Sequence, residues 1–241
     1  MKVDLHPCFI LHKRAYRETS LLLEVFSLEH GRVSLVARGA KRGKSNQAGM
    51  LQPARKLNIA WAMRTEMGSL NTVELSGPAY ALSGRKLFCC FYLNELLMRM
   101  LHKHESHPEL FHKYEQALIE LQSDEAEDRC LRMFEKHLLK SLGYGILLDQ
   151  DSVTGAGIEA HQQYYYLTGS GPQQDKPENQ PAVVIAGSSL LALEQENNWN
   201  EQIAREAKRL FRAILDSHIG DRPLASRALY RSYLQTSQAD D

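Results

Sequence analysis

The chain has 241 residues, equal numbers of basic and acidic side chains (29 each) and 43% hydrophobic residues, a composition that suits one large globular core or two smaller ones. Its apolar runs are broken by charge well short of the ~18 residues of a membrane span, and its N-terminus lacks a signal-peptide core, so neither secretion nor a membrane span is expected. The neutral total hides a gradient: residues 1–60 carry eleven Lys/Arg against four acids, while Glu120, Asp124, Glu125, Glu127 and Asp128 crowd the middle.

From Cys8 to about Ser76 the hydrophobic period is two. Strands are predicted at Cys8–His12, Leu21–Phe26, Arg32–Val36, Leu57–Ala62 and Leu70–Leu75, with a hairpin turn at Glu29-His30-Gly31. This many short strands in so short a segment suit a five-stranded oligonucleotide-binding (OB-fold) barrel better than a sandwich. Directly after the third strand comes Arg38-Gly39-Ala40-Lys41-Arg42-Gly43-Lys44-Ser45, a basic loop with two glycines. Such a loop reads either as a clamp for a polyanionic backbone or as a solvated turn.

After Gly77-Pro78 the period changes to 3.6. Leu93, Leu96, Leu97, Met100 and Leu101 mark a core-facing helix, Pro108 opens a second helix through about Leu121, and a third begins near the Asp124–Asp128 acids and stops at Leu142-Gly143. Wound at about 100° per residue, the third helix carries Leu131, Phe134, Leu138 and Leu142 on one side and Arg129, Arg132, Lys136 and Lys140 on the other. Near the C-terminus Ile203, Ala207, Leu210 and Ile214 lie opposite Arg205, Lys208, Arg209 and Arg212 in the same way. Each stripe reads as a solvated face or, with the basic loop, as part of a surface for an anionic partner. Between these helices two short strands, Gln163–Leu167 and Ala182–Ile185, are expected to flank a mobile loop centred on Gly169–Asn179. The run Tyr164-Tyr165-Tyr166 suggests either base stacking or alternation between packing and solvent.

Signatures of catalysis are absent: no phosphate-cradling glycine loop, nucleophile elbow or zinc-protease helix occurs. Cys8, Cys89, Cys90 and Cys130 lack zinc-knuckle spacing and fit a reduced, cytoplasmic compartment. His102, His104, His107 and His112 read as a surface cluster, because a helix would put His102 and His104 on different faces and Pro108 interrupts the run. Neither a metal nor a cofactor is expected.

Several segments, in order and spacing, are similar to the RecO family of bacterial recombination mediators. They are Tyr16–Leu23, Gly31–Ala40 followed by Leu51-Gln52-Pro53, Tyr92–Leu97, Phe134–Gly145, and Ala207-Lys208-Arg209 with Pro223–Arg227. The resemblance implies an α+β protein: an OB-fold DNA-binding domain over 1–78, then a helical domain over 79–241 with an insert at about 145–185 that holds a four-cysteine zinc site in some members. Here that stretch has no cysteine and only His161, so the insert is expected to be degenerate, without zinc and held by packing alone.

The family function implied is non-enzymatic and nucleoid-associated. It consists of binding single- and double-stranded DNA, annealing complementary strands, and acting with RecR to load RecA onto DNA coated by the single-strand-binding protein SSB. Arg14, Arg38, Lys41, Arg42 and Lys44, with Arg205, Lys208, Arg209 and Arg212, are the residues expected to track phosphates. The acidic, phenylalanine-ended SSB tail calls for an apolar pocket edged by cations, for which Arg132 with Arg129 and Lys136 is the candidate. A purely protein-binding adaptor is the second reading and a hidden hydrolase or nuclease the third.

Overall fold

A computed structural model of the chain describes residues 1–41, 47–64, 66–123, 127–220 and 222–237. Strands β1 (Lys2–Tyr16), β2 (Ser20–Ser27), β3 (Gly31–Ala37), β4 (Arg55–Met63) and β5 (Met67–Ala79) form a closed barrel in the order β1-β2-β3-β5-β4. β1 pairs antiparallel with both β2 and β4, which closes the ring, and β3 runs parallel to β5. This is the OB-fold arrangement. Cys8, Ile10, Leu23, Val25, Val33, Leu35, Leu57, Ile59 and Trp61 fill the interior.

β1 is much longer than the predicted Cys8–His12. Its register shifts between Val3 and His6 and again between Ile10 and His12, and these bulges break the period of two that would have revealed its full length. Leu11 is passed over at the second shift, and its carbonyl accepts a hydrogen bond from Asn94 Nδ2 at 3.0 Å.

The barrel is also apolar outside. Phe9 and Phe26 are register partners on β1 and β2, and their rings meet Phe111 at 5.0 and 5.4 Å. Phe111 lies on α3 (Pro108–Glu120), which with α2 (Gly84–Met100) covers this face. A one-turn helix, α1 (Gln47–Met50), lies in the β3–β4 connection. The last helix, α7 (Ala225–Ser237), returns to α2, where Tyr233 and Tyr230 pack on Phe88 at 4.8 and 6.1 Å. Together these elements make one compact unit, Met1–Glu125 with Leu224–Asp241.

The second unit is Ala126–Pro223. It holds α4 (Glu127–Ser141), a three-stranded sheet of order β7-β6-β8 (Gly171–Gln173, Gln163–Leu167, Val183–Ala186), α5 (Gly187–Gln195) and α6 (Glu201–Ile219). α4 ends as its sequence predicts: Gly143 takes φ +77°, and the Tyr144 amide reaches back to the Leu139 carbonyl at 3.0 Å.

Two expectations for the insert are corrected. The loop read as mobile contains β7, paired through Tyr165↔Gln173 and Leu167↔Gly171, because Gly171-Pro172 looks like a turn when its ladder partner is not known. Nor is packing alone what holds the insert. The buried Asp151 carboxylate accepts from the amides of Val153, Thr154 and Gln174 at 2.8–2.9 Å, tying the 149–158 loop to the end of β7. Burial pushes this carboxyl up, but the three amides outweigh it and hold its pKa below the ordinary aspartate value. Among the described residues no helix is long and apolar enough to cross a membrane.

Candidate nucleic-acid interface

One end of the barrel gathers four of the N-terminal cations, Arg14, Arg17, Arg38 and Lys41. The β1–β2 ladder closes at Tyr16↔Ser20 and the β2–β3 ladder opens at Leu21↔Ala37, so Arg14, the Arg17–Thr19 turn and the segment from Arg38 to Lys41 share that end. Two hydrogen bonds tie the turn to the segment: the Lys41 amide donates to the Thr19 carbonyl at 3.0 Å, and Lys41 Nζ donates to the Arg17 carbonyl at 3.4 Å. Arg17 takes a left-handed φ of +54° and lies over the Tyr16 ring, 5.3 Å from its centroid. Arg14, Arg17, Arg38 and Lys41 are all exposed. Among the described residues none has an acid within the 4.0 Å of an ion pair. Arg42 and Lys44 lie outside the described residues. The sequence reading did not name Arg17, whose place beside Lys41 follows only from the pairing of turn and loop.

The α6 row keeps the two faces its sequence predicts. Ile203, Ala207, Leu210 and Ile214 are buried, and Arg205, Lys208, Arg209 and Arg212 are exposed. Three of these cations have nearby acids: Arg205 with Glu201 at 3.5 Å, Lys208 with Asp128 at 3.9 Å and Arg212 with Asp216 at 3.5 Å. At such exposure these pairs are weak and screened, so the row still offers positive charge, though less than at the barrel end.

Lys140 of the α4 row is exposed, but Arg129, Arg132 and Lys136 do not form the solvent-facing stripe that their spacing suggests. Arg132 is 5% exposed and pairs at 2.9 Å with the fully buried Glu135 one turn on. Lys136 Nζ donates to the carbonyls of Leu193 and Glu194 at 2.8 and 2.9 Å and to Glu196 at 3.1 Å, while Arg129 donates to the Glu196 carbonyl at 3.1 Å. These cations satisfy the last carbonyls of α5, the groups a helix C-terminus leaves unpaired and negative. A simple helical wheel misses this, because α5 was not foreseen as a neighbour. The acid Glu135 inside the apolar face was the available signal that α4 is covered on more than one side.

Other sequence candidates separate just as clearly. Tyr164 and Tyr166 are buried, and Tyr164 Oη accepts from the Glu159 amide at 3.0 Å, so any base stacking by this run falls to Tyr165. His107 is buried rather than part of a surface cluster, and the metal-competent grouping found among the described residues takes no histidine from 102–112. Cys8 and Cys90 are fully buried, and burial pushes both thiols up to about 12, which makes them poor nucleophiles at neutral pH.

The sequence of the whole chain can be set beside this geometry. Residues 1–79 match the family model described as Recombination protein O N terminal, and residues 82–228 match Recombination protein O C terminal. The chain belongs to the RecO family. It is 42% identical over 231 residues to a DNA repair protein RecO of Methylococcus capsulatus, covering 96% of this chain and 94% of that one. Similar figures hold for the proteins of the same name from Nitrosococcus oceani (41%, covering 95% and 93%) and Coxiella burnetii strain RSA 331 (40%, covering 95% and 98%). The boundary between the two RecO models falls just after β5, where the barrel ends.

Proposed function

We propose that this RecO-family chain is a non-enzymatic DNA repair and recombination mediator. In this reading it binds single- and double-stranded DNA, anneals complementary strands, and works with RecR to load RecA onto SSB-coated DNA at the nucleoid. The observation that carries the reading is the barrel end, where Arg14, Arg38 and Lys41 are exposed with no acid partner among the described residues, on a turn and loop tied by the Lys41 amide and Nζ. Charges so placed follow a phosphate chain without reading bases, and annealing needs that indifference to sequence. Arg42 and Lys44 extend the same loop in sequence, and Arg205, Lys208, Arg209 and Arg212 supply a second basic surface on the other unit. The OB domain over 1–78 is the primary DNA-binding domain and the region from 79 carries the partner contacts.

The test is annealing of two labelled complementary oligonucleotides, bare and SSB-coated, across a salt series. Salt-sensitive annealing on both supports the mediator. Its absence on bare strands makes the chain a protein-binding adaptor.

The SSB tail is proposed to dock on α4 through Arg129, Arg132 and Lys136, which requires its carboxylates to displace Glu135 from the buried Arg132 and to compete with Glu196 for Lys136. Glu196→Gln is then expected to tighten binding of an SSB tail peptide about threefold, since it weakens the internal competitor. An unchanged affinity in this variant, together with an unchanged affinity in Arg132→Ala, places the tail elsewhere.

A further inference from the structure

The opposite end of the β1–β2–β3 ladder brings together three metal-ligating side chains. The β1–β2 register pairs Phe9 with Phe26 and Cys8 with Ser27, and its continuation carries His6 to the turn that precedes Gly31. There the Leu28 amide donates to the Pro7 carbonyl at 3.1 Å, and the Glu29 amide to His6 Nε2 at 3.2 Å. His30, next in the turn, lies edge to face with His6 at 5.2 Å between ring centroids. Both imidazoles stand against Trp61, at 6.5 and 5.3 Å. One nitrogen from each histidine and one Glu29 oxygen all lie within 4.8 Å of one another.

The turn that presents these groups is held in place. Gly31 has φ +59°, and a Cβ there would sit 1.7 Å from the Glu105 carbonyl oxygen, so the backbones of the hairpin and the 102–107 segment touch where only glycine fits. Arg32 adds a backbone bridge to Lys103, and its carbonyl accepts from the His104 amide at 3.0 Å. The His30 imidazole has no hydrogen-bond partner among the described residues. The contact that competes for His6 Nε2 is the long one from the Glu29 amide.

We propose that His6, Glu29 and His30 form a binding site for one zinc-class divalent ion, with a fourth position left to water. Two imidazoles and one carboxylate suit zinc, nickel or copper, whereas magnesium and calcium call for oxygen donors. Tetrahedral bonds of about 2.0–2.1 Å put donors roughly 3.3 Å apart, closer than they stand here. Glu29, with a side chain 68% exposed, is free to swing in from its present 3.9 Å from His6 Nε2. Bound metal would clip the first residues of β1 to the β2–β3 turn. Sequence spacing hides such a site, because its ligands stand 23 and 24 positions apart and only the strand register joins them.

The full chain carrying Trp199→Phe leaves Trp61 as the one tryptophan, so copper(II) at the site is read as quenching of its fluorescence, and equilibrium dialysis counts bound zinc. The expected result is one ion per chain with saturable quenching. Affinity should fall by about tenfold or more in His30→Ala and in Glu29→Gln, and stay unchanged in His102→Ala. Glu29→Gln alters an exposed turn side chain and leaves the barrel folded, which circular dichroism checks. Absence of saturable one-to-one binding, or the same affinity in both turn variants as in the parent, overturns the proposal.

Discussion

Asn94 shows how one polar side chain fixes the seat of a whole barrel. The bulge in β1 leaves the Leu11 carbonyl outside the ladder, and a buried carbonyl without a donor is costly. Asn94 supplies that donor, and its own Oδ1 accepts from the fully buried Tyr114 hydroxyl at 2.5 Å. Asn94→Ala strands the Leu11 carbonyl and removes the short bond of the Tyr114 hydroxyl, which keeps a 4.0 Å contact with Cys90 Sγ, and we expect a loss of about 1–3 kcal/mol in urea unfolding. Tyr114→Phe leaves the Leu11 bond intact and should cost less than Asn94→Ala; the reverse order would mean that the carbonyl is satisfied some other way. At the barrel end the question is charge rather than satisfaction. Replacing both Arg38 and Lys41 with Ala should flatten the log–log salt dependence of single-strand binding by about two from a parent slope of roughly −3 to −4. Loss of affinity with an unaltered slope would show that these side chains shape the loop and do not neutralise phosphates.

Among the elements, α7 is held to its neighbour by a single carboxylate. At its first turn the Glu95 carboxylate on α2 accepts from the amides of Ala225 and Ser226 at 2.9 and 2.8 Å. Burial raises the Glu95 pKa, but the Ser226 hydroxyl and the two amides, with Arg99 beyond, outweigh it and leave the net value lowered. A carboxyl whose folded pKa is depressed stabilises the fold fully above its unfolded pKa, and that contribution is lost as pH falls through the folded value. Hydrogen exchange at α7 should therefore accelerate relative to β1 as the medium goes below about pH 4, the unfolded glutamate range. Glu95→Gln should show the faster exchange already at pH 7 and no further acid step. The sequence made much of this element structure legible, and the pattern of success is physical. Helices with one buried face, such as α2 and α6, announce themselves through their period, and Gly143 announces the end of α4. β1 was foreshortened because Phe9 and Cys8 are buried on opposite sides of the same strand and two bulges interrupt the alternation. The α4 cations were misplaced for a related reason: their partners, the carbonyls at the end of α5, are backbone groups that no residue pattern displays. Of the candidate interface, the identity of the cations was legible, while the pairing of Arg17 with Lys41 needed the fold.

At the scale of the molecule, the chain leaves its first compact unit at residue 125 and re-enters it at Leu224, so the unit that contains the barrel is completed by the last residues of the sequence. The contacts made on return are specific. Phe88 is covered by Tyr233 and Tyr230, Arg227 lies 5.8 Å from the centroid of the Tyr92 ring, and Leu224 and Ser226 are buried. Removing residues 224–241 would expose Phe88 and leave Glu95 without the two amides it accepts from, although every barrel strand stays intact. Phe88 is half-buried, so losing this cover costs less than the ~1.5–3 kcal/mol of a fully buried aromatic, and the lost α7 packing adds to it. If the return of the chain stabilises the whole first unit, such a truncation should lower the melting temperature followed through Trp61, the tryptophan buried in the barrel, in a Trp199→Phe background. If α7 is only an appendage to α2, the Trp61 transition stays where it was and only exchange at the α2 amides rises. The barrel reaches α2 through Asn94 and Leu11 and α3 through Phe9 and Phe111, and α2 in turn reaches α7 through Glu95 and Phe88. That chain of contacts favours the first outcome: stability lost at the C-terminus should be felt in a strand nearly the whole length of the sequence away.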